Sequence, residues 1–276
     1  MLEIERSGYY AWLKKHKEAE QTEKRLKEKI KDQFDQSRGT YGPERITVEL
    51  RKEGEHLGRD RCGRYMKDMH LESIHNRHRT KSLTNSKKAR GEGYPNILRD
   101  QEFPIVPRRG VTSDITYLKT GEGFMYHCVI RDLVTGEVLG DHMADRMKKE
   151  LVMNAILAML ARHKMEPGCI FHSDRGSQYL SIRYTERLAE AGIDTSVGSV
   201  GDSYDNALAE SIIGLFKTEV IKFLGPWKSI GQVEWETLKW VDWYNKTRLH
   251  SAIGYVTPNE AEEAFYASLK ADEKAA

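Results

Sequence analysis

Three carboxylates of the 276-residue chain stand out by placement. Asp114 sits inside an alternating run, Val111-Thr112-Ser113-Asp114-Ile115-Thr116-Tyr117. Asp174 closely follows a short apolar run, in His172-Ser173-Asp174-Arg175-Gly176-Ser177-Gln178-Tyr179. Glu210 comes after a further 35 residues, in Tyr204-Asp205-Asn206-Ala207-Leu208-Ala209-Glu210-Ser211. Hard carboxylate oxygens gathered in one place suit Mg²⁺ or Mn²⁺, which bind through a few carboxylates plus substrate phosphates. Two such ions about 4 Å apart clamp the attacking and leaving oxygens of an in-line phosphoryl displacement. Without ions the three groups would repel one another and raise at least one pKa, so a fold keeps them together for chemistry rather than stability. Any one of these acids alone reads as a surface residue. On a wheel at 3.6 residues per turn, Asn206, Glu210, Gly214, Lys217 and Ile221 share one side of the following segment. Leu208, Ile212, Leu215, Phe216 and Phe223 share the other. Lys217 thus projects from the face of Glu210, two turns on, where it can hold a phosphate beside the ions. Gly214 leaves a gap between them for a nucleic-acid backbone. An exposed helix lysine is the plainer alternative for Lys217.

The elements that must position these groups are legible in the hydrophobic pattern. Val111–Leu118, Phe124–Arg131 and Glu137–Ala144 read as strands joined by tight glycine-bearing turns. An amphipathic helix over Lys148–His163 ends at Pro167-Gly168. A short buried strand follows at Cys169–His172, then a helix over Ile182–Ala191, a strand at Asp194–Val197 and a long helix from about Asn206 to Leu224. The order βββαβαβα predicts a mixed α/β, ribonuclease-H-like sheet. In that sheet the first and fourth strands are neighbours, so Asp114 and Asp174 converge and the last helix carries Glu210 over them.

Net charge is only +2, but it is unevenly spread: residues 1–100 hold 24 Lys and Arg against 17 Asp and Glu, a surplus of +7, leaving −5 for the rest. A basic front suits a polyanion, and carboxylates kept behind it suit metal chemistry. The front reads as three helices: 14–36 with an apolar stripe at Leu26, Ile30 and Phe34; Pro43–Glu53 with Ile46, Val48 and Leu50 inward; and Arg59–Met69 with Arg59, Arg61, Arg64 and Lys67 outward. This is the layout of a helix-turn-helix unit, whose last helix lies in the major groove, and equally that of a small bundle without DNA. Between Ser73 and Gly91 six basic residues (Arg77, Arg79, Lys81, Lys87, Lys88 and Arg90) occur with no acid, which reads as a DNA-tracking segment or as a solvated linker. His75-Asn76-Arg77-His78 lacks the following CxxC of an integrase-type zinc module. The expected division is a helical region 1–72, a basic linker 73–104, the catalytic core 105–224 and a helical extension 225–276. Four of five tryptophans fall in the extension (Trp227, Trp235, Trp240 and Trp243), as packing anchors or as aromatic surface for DNA. Absence of a long apolar run or a leader-like N-terminus predicts a cytoplasmic chain that does not enter a membrane.

Three acids with 35 residues before the glutamate, and Lys217 seven residues after it, resemble the DDE transposase/integrase superfamily. More narrowly, SDITY, HSDRGSQY, YDNALAES and YNKTRLHSAIGYVTP are similar to the second-frame product, OrfB, of IS3-family insertion sequences. SGYYAWL and YGPERITVEL through GRYMKDMHL resemble that family's N-terminal helix-turn-helix segment. Val111 stands where the family commonly has Trp, and Ser113 where it has Thr. The resemblance implies a transposase in which Asp114, Asp174 and Glu210 hold two Mg²⁺ or Mn²⁺ ions. His172 and the Arg175–Tyr179 loop would shape the site. Lys217 would lie on the DNA backbone, and Arg175 and His172, with the basic residues of the front, would contact DNA. From its place one turn before Glu210, Asn206 contacts DNA or supports a metal-bound water, and Arg248, in the RLHSAIGY stretch, contacts DNA or steadies its turn. The resemblance further implies action on terminal inverted repeats and target DNA, a homo-oligomer on DNA in the bacterial nucleoid, and a partnership or fusion with OrfA. A non-catalytic DNA-binding regulator that depends on an OrfA fusion is the alternative function, and a ribonuclease H using the same sheet is a third.

Overall fold

The structure, a computed structural model, describes residues 6–77, 105–173, 188–197 and 207–275; the side chains of 76–77, 197, 207–210 and 272–275 are not described. The chain divides into two compact units, Met1–Thr80 and Lys81–Ala276. In the first, α1 (Arg6–Gln36) begins well before the predicted residue 14, because its buried anchors, Leu26 and Ile30, sit only in the C-terminal half that the periodicity marks. Gly39, at φ +69°, lets the chain turn back. Pro43 then opens α2 (Pro43–Lys52), and α3 follows (Arg59–Asp68). Ile46, Thr47 and Leu50 form the inward face of α2. Val48 was expected there, but at 100° per residue it lies far round from Ile46 and is only half-buried. Cys62, Tyr65 and Met66 of α3 are buried, while Arg59, Arg61, Arg64 and Lys67 are exposed as expected. The segment from Ser73, expected as linker, packs instead. Ser73 Oγ donates to Thr40 O at 2.8 Å, and Ile74, buried at the start of the short helix α4 (Ile74–Arg77), donates its N–H to Gly39 O at 3.0 Å. The remaining expected linker, 78–104, lies outside the described residues.

The second unit is built on a five-stranded sheet: β1 (Gly110–Thr120), β2 (Gly123–Asp132), β3 (Val138–Ala144), β4 (Cys169–Ser173) and β5 (Ile193–Val197). The strand order is β3-β2-β1-β4-β5. β1–β2–β3 is an antiparallel meander, and β4 and β5 join in parallel, so β1 and β4 are neighbours as the sequence predicts. Parallel pairing needs a crossover, and α5 (Lys149–Arg162) supplies it between β3 and β4, burying Leu151, Val152, Ala155, Ile156 and Met159 against Val111, Ile130, Leu139 and Phe171. α5 lies so close to β3 that a Cβ on Gly140 would sit 2.6 Å from Ala155 O. The other face is covered by α6 (Ala207–Phe216), which runs on as a π-helical turn (Lys217–Lys222), and by α7 (Ile230–Lys246). The helix expected over 182–191 lies mostly outside the described residues. Among the described residues no helix is long and apolar enough to cross a membrane.

A last helix, α8 (Pro258–Ala275), docks on the sheet through charge. Arg108 Nη2 donates to Glu262 Oε2 at 2.8 Å, Arg108 N donates to Asp132 Oδ2 at 2.6 Å, and Tyr266 OH donates to Glu166 Oε1 at 3.3 Å. Glu137 is buried beside this cluster. Burial first, then the charge of Glu262, push its carboxyl up to about 7 against the pull of Arg108. A carboxyl raised on folding adds stability that is complete below the ordinary range near 4.5 and is lost as pH rises through about 7. Nearby His163 is pushed down to about 4, by burial and then by Arg108 and Arg162. Its titration therefore acts oppositely, removing stability as pH falls below the usual imidazole range. The quantity to follow is the difference between wild type and Glu137→Gln in urea melts. At about 1.4 kcal/mol per pKa unit, the advantage of the wild-type Glu is expected to shrink by on the order of 3 kcal/mol between pH 4.5 and 8. A flat difference would contradict it.

Candidate active site

Alternation along β1 separates its side chains. Val111 and Ile115 pack toward α5, and Thr112, Asp114 and Thr116 share the opposite face. Asp114 is half-buried, and its Oδ1 accepts the N–H of Ile115 at 2.8 Å. α6 lies over this same face. The ring of Phe216 is 4.8 Å from that of His127, which pairs with Thr116. Ser211, the residue after Glu210, accepts from Arg131 Nη1 at 3.3 Å, and Arg131 pairs with Thr112. β4 runs parallel to β1 in unbroken register from Gly110↔Ile170 to Ser113↔Ser173. Asp174, the residue after Ser173, lies outside the described residues, as do Arg175 and Asn206. The backbone of Glu210 lies in α6, and its side chain is not described. Among the described residues no three His, Cys, Asp or Glu side chains gather as a metal-binding group.

Two residues expected at DNA prove to be buried. His172 is fully buried, and its Nδ1 is 3.0 Å from Ser196 Oγ, so it ties β4 to β5 beneath the surface. Arg248, in the short RLH stretch after α7, is 1 % exposed. Its Nη2 donates to Glu219 Oε1 at 2.8 Å and its Nε to the same carboxylate at 3.1 Å. Of the two readings of the RLHSAIGY stretch, DNA contact or a structural role, the second fits: a buried carboxylate claims this guanidinium. Of the remaining DNA candidates, Arg59, Arg61 and Arg64 are exposed on α3. Arg59 pairs with Glu44 at 3.2 Å, and Arg61 Nε donates to Tyr65 OH at 2.7 Å. Arg77 ends α4 with its side chain not described, and Arg79, Lys81, Lys87 and Lys88 lie outside the described residues. Lys217 is half-buried where α6 passes into the π turn.

Glu219 is the residue sequence reasoning passed over. It is 1 % exposed and accepts from Trp240 Nε1 at 2.8 Å as well as from Arg248. Phe216 packs on Trp240 at 5.3 Å, and Tyr244 contacts both Trp240 (5.0 Å) and His250 (4.5 Å). This buried cluster fastens the helix that carries Glu210 and Lys217 to α7. A signal for it existed: Glu219 lies seven residues after Ile212, nearly two turns, and so falls on the apolar side of the wheel. A charge there demands a buried partner. The π turn, closed by i→i+5 bonds, takes more residues per turn than an α-helix, and it rotates the residues beyond it. Phe223, expected inward, is accordingly 44 % exposed. Trp240 and Trp243 are buried and Trp227 donates its Nε1–H to Ile221 O at 3.0 Å, whereas Trp235 is exposed.

The chain is similar to known proteins in sequence and in fold. Residues 106–203 match the family described as an integrase core domain, residues 191–258 a second integrase core domain description, and residues 21–79 an HTH-like domain. The chain is 41% identical over 249 residues to the putative transposase for insertion sequence element IS986/IS6110 of Mycobacterium tuberculosis, covering 88% of each. It is 39% identical to the transposase for IS629 of Shigella sonnei, over 91% of this chain and 83% of that one. Transposase InsF for IS3A of Escherichia coli K12 is 29% identical over 95% of this chain and 91% of its own. Among solved structures, a chain of the simian T-cell lymphotropic virus intasome in complex with PP2A regulatory subunit B56 gamma has the same fold. Its TM-score is 0.51 at 14% identity, over 80% of this chain and 70% of that one.

Proposed function

Because this chain belongs to the IS3-family insertion-sequence transposases, DDE-type polynucleotidyl transferases with an integrase core behind an HTH-like region, we propose that it cuts and joins DNA strands at a site made by Asp114, Asp174 and Glu210. The observation that carries this reading is the unbroken parallel register of β1 and β4 up to Ser113↔Ser173, with α6 packed across the face that bears Asp114. One more residue of the same pleat would bring Asp174 beside Asp114, and Ser211 anchored on Arg131 would keep Glu210 over both. An all-oxygen carboxylate set, with Asp114 half-buried and oriented by a backbone N–H, fits Mg²⁺ or Mn²⁺. Asp114, Asp174 and Glu210 would hold a pair of these ions. When bound, they supply Lewis-acid stabilisation of the attacking and leaving oxygens.

The chain's own residues do the rest. Hydrolysis at an element end adds a water oxygen to phosphorus and breaks the P–O3′ bond, freeing a 3′-OH. That hydroxyl then attacks a second phosphodiester, so one P–O bond forms as another breaks. Lys217 balances phosphate charge beside the acids, with Arg175 and Asn206 as further contacts. Arg59, Arg61 and Arg64 on α3, with Arg77, Arg79, Lys81, Lys87 and Lys88, track the DNA. A homo-oligomer assembled on two element ends, with OrfA supplying terminal-repeat recognition, completes the proposal. The test is incubation with a labelled element-end duplex in Mg²⁺ or Mn²⁺. Nicking at the 3′ end is expected, with none in chelator. Binding without nicking, also with OrfA fused, would make the chain a regulator, and cleavage of RNA–DNA hybrids alone would make it a ribonuclease H.

Gly214 tests the path of the DNA. It is exposed on α6, and a Cβ there would meet nothing within 4 Å. Gly214→Ala is therefore expected to strengthen the helix by about 1 kcal/mol, a rise of a few degrees in melting temperature. Strand cleavage falls nonetheless, because the methyl stands where the DNA backbone passes. A stabilised variant with full activity would move the DNA off this face.

A further inference from the structure

α1 is 31 residues long, about 46 Å at the usual rise per residue, and its buried residues lie only in its second half. Leu26 and Ile30 are its buried residues. Its ties to the segment after α2 start at Arg25, whose Nη2 donates to Glu55 Oε2 at 3.0 Å, and include Lys29 to Glu53 at 2.9 Å. Residues 6–17 are exposed except for half-buried Leu13. This stretch holds Arg6, Lys14, Lys15 and Lys17 and not one Asp or Glu. It also presents three large rings to solvent: Tyr9 at 50%, Tyr10 at 65% and Trp12 at 57% exposure. Two of them form a short ladder with His16, Tyr9 to Trp12 at 6.3 Å and Trp12 to His16 at 5.0 Å, both near-parallel.

Rings of this size are worth most when covered, and the charge around them selects what can cover them. A second copy of the same stretch would bring like charges together with no carboxylate to offset them. A polyanion gains from every one of the four cations through counterion release. Flat apolar faces and negative charge occur together in a nucleic-acid strand whose bases are unpaired, and aromatic side chains stack on such bases whatever the sequence. We propose that the first half of α1 is an arm that binds single-stranded DNA, its Lys and Arg residues on phosphates and Tyr9, Tyr10 and Trp12 against bases. The occupant follows from the cations and rings of this stretch, rests on the reading of the chain as an enzyme of DNA strands, and needs nothing from the three acids.

The experiment uses the full chain in chelator, so that no strand is cut. It measures the affinity for a labelled oligothymidylate and for a duplex of matching length across a salt series. Tyr10→Ala/Trp12→Ala is expected to weaken oligothymidylate binding about tenfold or more and duplex binding by less. Lys14→Gln/Lys15→Gln is expected to lower the salt slope for the single strand by about 1.4. Both substitutions fall outside the packed half of α1, so the melting temperature should not change. Oligothymidylate affinity within twofold of wild type in both variants would overturn the proposal. So would intact DNA affinity with lost self-association in sedimentation, which would assign the rings to a second copy. Oligothymidylate binding is read in chelator and element-end nicking only with the divalent ion, so failure of the arm and failure of the cleavage site are separable.

Discussion

Asp114→Asn is expected to lower strand cleavage and strand transfer by about a thousandfold or more, some 4 kcal/mol of transition-state stabilisation, while the protein stays folded. Asn has the shape of Asp and keeps an oxygen to accept the Ile115 N–H, so the local backbone loses nothing. Removing one charge from a cluster of like charges costs the metal-free protein no stability either. Loss of activity with an unchanged melting temperature and unchanged DNA affinity is therefore the signature of a metal ligand. Asp174→Asn and Glu210→Gln should behave the same way, and the double variants should be little worse than the single ones, because residues acting as one unit are strongly non-additive. An Asp114→Asn chain that nicks at a tenth of the wild-type rate would mean that this carboxylate only assists.

Arg248→Met is expected to do the reverse: about 3–5 kcal/mol of stability is lost, with DNA cleavage falling as a consequence of unfolding. The substitution leaves Glu219 buried and charged, with the Trp240 indole N–H still donating to it but its cation gone. Glu219→Gln/Arg248→Met should recover much of the loss, since a neutral amide can still accept from Trp240 and an apolar side chain can fill the guanidinium's place. The same measurements separate the buried role from a DNA role. A surface arginine on phosphate would leave the melting temperature alone and lower the salt slope of binding, whereas the ion pair predicts a large thermal shift and no change in slope per folded molecule.

The two sets of residues differ in how far the sequence discloses them. The order of strands was legible because each strand keeps its alternation and each turn its glycine, and because adjacency of β1 and β4 follows from that order. Of the acids, Asp114 falls on β1 and the backbone of Glu210 on α6, as the hydrophobic pattern places them, while Asp174 lies outside the described residues. Arg248 left two readings open, DNA contact or a structural role in its turn, since nothing local distinguishes a cation in a loop that faces water from one that faces a buried carboxylate 29 residues earlier. The missing step was to ask what a glutamate is doing on the greasy side of the last helix. The π turn at Lys217–Lys222 has no sequence signature of its own, and it altered which residues beyond it face inward. In the helical unit, the stripe at Leu26 and Ile30 reported the packed half of α1 faithfully and said nothing of residues 6–13, which continue the helix without a core to bury against. Ser73 and Ile74 read as linker because a basic run starts nearby, yet the backbone carbonyls of Gly39 and Thr40 accept from them and draw them into the helical unit.

The central claim is that three side chains far apart in sequence share a pair of divalent cations. It is tested most directly by a crystal structure of the chain on an uncleaved DNA end in Mn²⁺, with anomalous scattering locating the metal. The account predicts two peaks held among the carboxylates of Asp114, Asp174 and Glu210, next to the scissile phosphate. Peaks bound elsewhere, or carboxylates of residues 114, 174 and 210 too far apart to share an ion, would contradict it.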